Sequence, residues 1–201
     1  MYYVNGQLHE KMYYKNGSLE GEYLIFSDNG QLDEKMHFKN DVRKGEYLNF
    51  RDTGKLYGKM YYQNGKKEGE GLTFHENGKI YQREHYKNGE WEGEQLMYYD
   101  TGQLSQKEYY KNGSREGEQL HFHENGQLSW KSHYQNGEKE GEVLSYYENG
   151  QLSVKEYHKN NRLIGNRFMY YEDGQLNEKS YYKNGEKVVL YSYDRYNSGK
   201  G

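Results

Sequence analysis

Eight glycines, Gly6, Gly30, Gly54, Gly78, Gly102, Gly126, Gly150 and Gly174, stand 24 residues apart with no insertion or deletion between them. A period this strict is incompatible with one domain built around a unique core. It describes a short unit stacked eight times, each copy touching only its neighbours. Such arrays present an extended binding surface more readily than an enclosed catalytic pocket.

Leu, Ile, Val and Phe are scarce and the mean hydropathy is −1.40, a balance that normally goes with disorder. The 26 tyrosines and their periodicity offset this. Tyrosine buries a large ring while its hydroxyl stays in water, which suits a thin sheet better than a thick core. With no cysteine, the chain has neither disulfides nor thiolate metal ligands. No apolar run approaches the roughly 18 residues that span a bilayer, which argues against membrane insertion, and no signal peptide is present. The chain opens in phase, Tyr2-Tyr3-Val4-Asn5-Gly6 matching Tyr98-Tyr99-Asp100-Thr101-Gly102, midway through a unit and without a cap. As it stands it reads as cytoplasmic, and as exported or surface-borne if an N-terminal signal has been removed. Net charge is −3, with Lys and Glu alternating and no clustered basic stripe of the kind nucleic acid or anionic lipid requires.

In the fifth copy the unit runs Gly102-Gln-Leu104-Ser-Gln-Lys107-Glu-Tyr109-Tyr110-Lys111-Asn112-Gly113, then Ser-Arg-Glu-Gly117-Glu118-Gln-Leu120-His-Phe122-His-Glu-Asn125. Two β-type runs separated by Asn-Gly predict a hairpin per copy, and glycine recurs too often for helix. The expected fold is all-β, with tandem 24-residue β-hairpin repeats stacked into one elongated, twisted antiparallel sheet. The repeat array covers residues 1–187, and 188–201 form a degenerate cap and tail in which Val189 replaces the usual glycine. Treating Asn125-Gly126 as a two-residue turn sets Phe122 opposite Ser129 and Leu120 opposite Lys131. Treating Asn112 to Gly117 as a six-residue loop sets Lys111 opposite Glu118, Tyr109 opposite Leu120 and Lys107 opposite Phe122. One face then carries the Leu24, Phe26, Lys11 and Tyr13 classes, the other the Leu8 and Tyr14 classes. Lys15–Glu22, Lys39–Glu46, Lys87–Glu94 and Lys111–Glu118 pairs close the loops, and altered loops are expected where Asp41 and Asn161 replace the turn glycine.

The pattern Asn-Gly-Gln-Leu, Tyr-Tyr-Lys-Asn-Gly, Glu-Gly-Glu resembles the variant MORN repeat of bacteria, found in proteins named as YwqK-type antitoxin components. Tyr86-Lys87-Asn88-Gly89 and Glu92-Gly93-Glu94 carry the resemblance, which runs from Tyr2 to about Tyr193. It implies stacked β-hairpins and a binding or scaffolding role, in its specific form neutralisation of a toxin. A weaker likeness, to aromatic hairpin repeats that bind choline or cell-wall glycans, lacks the tryptophans those cages need, since only Trp91 and Trp130 are present.

Histidines and carboxylates are the candidates for chemistry. His121-Phe122-His123 sets two imidazoles on one strand face, and His75 shares the slot of His123. His37, His85 and His133 recur in alternate copies, about 19 Å apart by strand spacing, too far to share a metal. They read as substitute rings among Tyr61 and Tyr109. Glu22, Glu46, Glu70, Glu94, Glu118 and Glu142 repeat beside lysines and read as solvated clamps, because a catalytic site would require one copy to differ from the rest. The acidic Gly-rich loops lack the following helix that a phosphate cradle uses.

The reading is therefore non-enzymatic, without cofactor or metal: a protein-binding scaffold, possessing in its specific form a toxin as partner, with a cell-surface adhesin or glycan-binding module as the alternative. Residues that vary between copies on the strands give the address for a partner: Tyr23, Tyr47, Met97, His121 and Met169, together with Trp91 and Trp130.

Overall fold

A computed structural model describes residues 1–192; the tail of the expected cap beyond Ser192 lies outside them. The fold is all-β with tandem repeats, and no helix occurs among the described residues, so none is long and apolar enough to cross a membrane. The chain divides into two compact units, Met1–Gly102 and Gln103–Gly201. In the first, a Tyr2–Leu8 bridge precedes strands running from Glu10–Lys15 to Gly93–Tyr98. In the second, strands run from Leu104–Lys111 to Glu186–Ser192. Within each unit successive strands pair antiparallel in chain order, giving an open sheet one layer thick.

The two turn types are the reverse of those expected. Asn112 (φ 48°) and Gly113 (φ 75°) form the two-residue turn, with Lys111 opposite Ser114 and Tyr110 opposite Arg115. Both residues occupy the left-handed region that Asn and Gly tolerate best. Asn125-Gly126 belongs instead to a three-residue loop closed by Gly126 N–H to His123 O (2.9 Å) and His123 N–H to Gln127 O (2.8 Å). Asn125 Oδ1 accepts the N–H of Gln127, and its Nδ2 donates to Glu148 O of the next copy. Asp41 (φ 64°) and Asn161 (φ 63°) keep the two-residue turn, contrary to expectation. Their side chains compensate for the lost glycine, accepting the backbone N–H of Leu19 and of Lys139, both at 2.7 Å.

The expected six-residue loop is this turn followed by a bulge. Beyond it Lys107 faces Leu120 and Gln106 faces His121, two residues from the predicted register. Four residues, Glu116 to Gln119, thus oppose Glu108 and Tyr109. A slip of two leaves every side chain on its predicted face, so the Tyr13 and Tyr14 classes do separate: Tyr109 is 43% exposed, Tyr110 only 6%. At the opposite end of the strands a second bulge sets Phe122 against Leu128 instead of Ser129, and Phe26 against Leu32. Direct partners share a face, so the Leu8 class joins the Phe26 class there, correcting its assignment to the opposite face.

Consecutive turns bond to one another. Gly65, Gly89 and Gly137 donate to the carbonyls of Arg43, Lys67 and Arg115, while Glu20, Glu68, Glu116 and Glu140 accept the N–H of Asn40, Asn88, Asn136 and Asn160. The ion pairs also link copies: Glu22 pairs with Lys35, Glu70 with Arg83, Glu118 with Lys131 and Glu142 with Lys155, not with the loop lysines expected. Removing residues 54–77, one whole period, is therefore expected to leave a shorter, cooperatively melting protein. Removing residues 54–65 inverts strand direction and should abolish the transition, as circular dichroism melts of the two deletions would show.

Candidate functional site

Among the described residues every buried side chain except Leu72 lies, within its own unit, on one face of the sheet. No second layer covers it, so burial there comes from neighbouring side chains on the same face, which we call inner. It carries the Tyr14 class, the slot of Met36, Glu84, Glu108, Ser132 and Ser180, and the slot of Gln95, Gln119 and Val143.

All seven candidate binding residues fall on this inner face, each half-buried. Trp130 sits opposite His121, their rings 4.8 Å apart. Trp91 packs on Tyr86 at 6.5 Å, Tyr23 on Phe38 at 5.9 Å, and Tyr47 edge-on to Tyr62 at 6.1 Å. Met97 faces Gln82, and Met169 faces Val154 and accepts from Arg167 through its sulfur. Arg43 lies over the rings of Phe38, Tyr47 and Tyr62, Lys67 over Tyr86, and Lys139 over Trp130 and Tyr134. Cations on aromatic faces contribute roughly 0.5–2 kcal/mol each depending on desolvation. Burial, then the Glu34 carboxylate, pushes the Tyr47 hydroxyl up to about 12.

The structure brings together charges that sequence slots did not connect. Glu108, 8% exposed, accepts from the Tyr110 hydroxyl at 2.7 Å and from Arg115 at 3.1 Å, with His121 Nε2 3.6 Å away. Burial alone would raise this carboxyl, but His121, Tyr110 and Arg115 outweigh it and hold it below its ordinary value. In a later copy Glu156 is bound by His158 at 2.9 Å and Arg167 at 3.1 Å. His121 and His123 are parted by the bulge. His123 and His75 instead bond through Nε2 to the next copy's Tyr146 O and Tyr98 O, the role that Tyr147 and Tyr3 hydroxyls fill elsewhere. No group of three His, Asp or Glu side chains among the described residues is placed to hold a metal.

Gln95 and Gln119, which share one repeat slot with Tyr23, Tyr47 and Val143, have a structural task. The bulge frees the Tyr109 N–H from the ladder, while its carbonyl keeps the Glu116 N–H at 2.9 Å, and the fully buried Gln119 supplies the missing partner. Its Oε1 accepts from Tyr109 N–H at 3.3 Å and its Nε2 donates to Tyr109 O at 3.1 Å. Gln95 does the same for His85. The face overlooked is the outer one, where Tyr13, Tyr61, Tyr109, Tyr157 and Tyr181 are 43–46% exposed and alternate with exposed His37, His85 and His133. Its signal was the odd numbering it shares with the lysine column, opposite in parity to the buried Tyr14 class.

A family model described as MORN repeat variant matches residues 1–16, 19–40, 43–66, 67–88, 91–112, 115–136, 139–160 and 163–184. Comparison with curated proteins finds no match. Among solved structures, a chain of one titled "Crystal Structure of TcdB2-TccC3-Cdc42" is similar over 92% of this chain and 12% of its own, at 13% identity and a TM-score of 0.24.

Two variants test these contacts. Gln119→Ala leaves the Tyr109 amide without its partner and should cost about 1–3 kcal/mol in urea unfolding. Because the Glu108 carboxyl is depressed in the folded chain, its contribution is complete above its unfolded value and is lost as pH falls through the folded one. The stability gap between the native chain and Glu108→Gln should therefore be constant near neutrality and begin to narrow only as pH falls below the ordinary glutamate value of about 4.3.

Proposed function

The chain belongs to the variant MORN-repeat family, and on that premise we propose that it is a non-enzymatic scaffold that binds a partner protein. In its specific form the partner is a toxin and the chain its antitoxin or immunity component. The observation that carries this reading is the position of Tyr23, Tyr47, Trp91 and Met97 on the inner face of the first unit, and of His121, Trp130 and Met169 on the inner face of the second. These side chains differ from copy to copy over a frame of repeated turns. Half-exposed aromatic and Met side chains, already fixed by their neighbours, lose little entropy on binding and dominate interface energetics. The carboxylates that recur along the sheet are engaged by cations of the next copy, which supports a frame more than a reaction centre.

Affinity capture with the intact chain, followed by reconstitution from purified components, tests the proposal. The expected result is one stoichiometric protein whose binding falls at least tenfold in a Trp130→Ala, His121→Ala variant that still melts cooperatively. Recovery of cell-wall material released by soluble sugar, with no stoichiometric protein, would contradict it.

A further inference from the structure

The outer face carries a second recognition feature, independent of the inner-face reading. In the first unit the exposed rings Tyr13, His37, Tyr61 and His85 come one from each copy, and in the second unit so do Tyr109, His133, Tyr157 and Tyr181. Adjacent copies are two strands apart, so the rungs repeat at about 9.6 Å. A polyproline II helix repeats every three residues at about 3.1 Å per residue, a pitch of about 9.3 Å. Every third side chain of such a peptide points the same way and falls in step with the rungs. An ordinary extended strand alternates its side chains and falls out of step.

Between two rungs lies a cleft of about 410 Å³, lined by Tyr61, His85, Glu68, Glu70, Glu92 and Lys87. Its carboxylates outnumber its one lysine. Glu70 is held by Arg83 at 3.3 Å, whereas Glu68 takes only the backbone N–H of Asn88 at 2.7 Å, with no cation paired to it among the described residues. Glu116 and Glu140 stand likewise, each accepting a turn N–H from the following copy. Within the second unit, then, Glu116 and Glu140 stand one period apart, the spacing of the rings, with no cation paired to either among the described residues.

We propose that the outer face of a unit docks a proline-rich, basic segment of a partner protein in the polyproline II conformation, prolines against that unit's Tyr/His rungs and Lys or Arg side chains reaching Glu68 in the first unit or Glu116 and Glu140 in the second. Aromatic rows receive such helices because the peptide is already ordered and buries flat rings at little entropic cost. Charge complementarity selects a basic peptide over an acidic one.

The test is fluorescence anisotropy of the full chain with a labelled peptide of four Lys-Pro-Pro triplets. Peptides of four Lys-Gly-Ser and four Glu-Pro-Pro triplets serve as comparisons. Saturable binding by the first, at least tenfold tighter than either comparison, is expected. It should weaken at least tenfold in a Tyr61→Ser, Tyr109→Ser variant, and likewise in a Glu68→Gln, Glu116→Gln variant that removes charge without altering the rings. Equal binding of the Lys-Gly-Ser peptide would reduce the effect to unspecific charge attraction and overturn the proposal. So would absence of saturable binding, or full binding in the glutamine variant. Each of these outcomes would leave the inner-face reading untouched, since its variants lie on the opposite side of the sheet.

Discussion

A sheet one layer thick has no interior in which to absorb an unmet backbone group, so the fold depends on where each freed N–H and C=O finds a partner. Twice in each period the chain breaks its own ladder, once after the Asn-Gly turn and once at the other end of the strands. The first break lets Glu116 reach the turn of the following copy, so that the residues that leave one ladder tie two copies together. In two copies, at Tyr109 and His85, a glutamine amide takes the place of the missing strand. Turn, bulge and inter-copy bond are one device, and the 24-residue period is its length.

That device explains how a chain of such low hydropathy folds. Aromatic and apolar groups need only cover each other along one face, because the long edges are tied by backbone and carboxylate bonds. The cations over Tyr62, Tyr86 and Tyr134 cover the rings from the water side. Exposed ion pairs such as Glu22–Lys35 contribute little individually. Their position across the junction between copies biases register more than it adds stability.

Much of this was legible in the sequence. The glycine period gave the repeat, Asn-Gly gave the turns, and parity separated Tyr109 from Tyr110. The bulge was not legible, because Glu116-Gly117 reads as ordinary loop until Gln119 is seen bonding to Tyr109. The two-residue slip that this produced moved every partner but no face, which is why the face assignment survived while the Lys–Glu partners did not. The Leu8 class was misplaced because the second bulge inverts alternation only at the first residue of its strand, where Leu128 meets Phe122. Asp41 and Asn161 looked like defects because the sequence does not reveal that their side chains bond to Leu19 and Lys139. For the candidate site, the sequence singled out the inner-face residues by their variation. The Glu108–Tyr110–Arg115–His121 cluster draws on four separate slots, and only folding unites them.

Amide hydrogen exchange, resolved by residue with NMR, tests the central claim most directly. If bonds between successive turns carry the order of the sheet, the amides of Gly65, Gly89, Gly137, Asn40, Asn88 and Asn136 will exchange as slowly as those in the middle of the strands. Free exchange at these turn amides, with protection confined to the strand centres, would show that the turns are mere connections and that the order comes from side-chain packing alone.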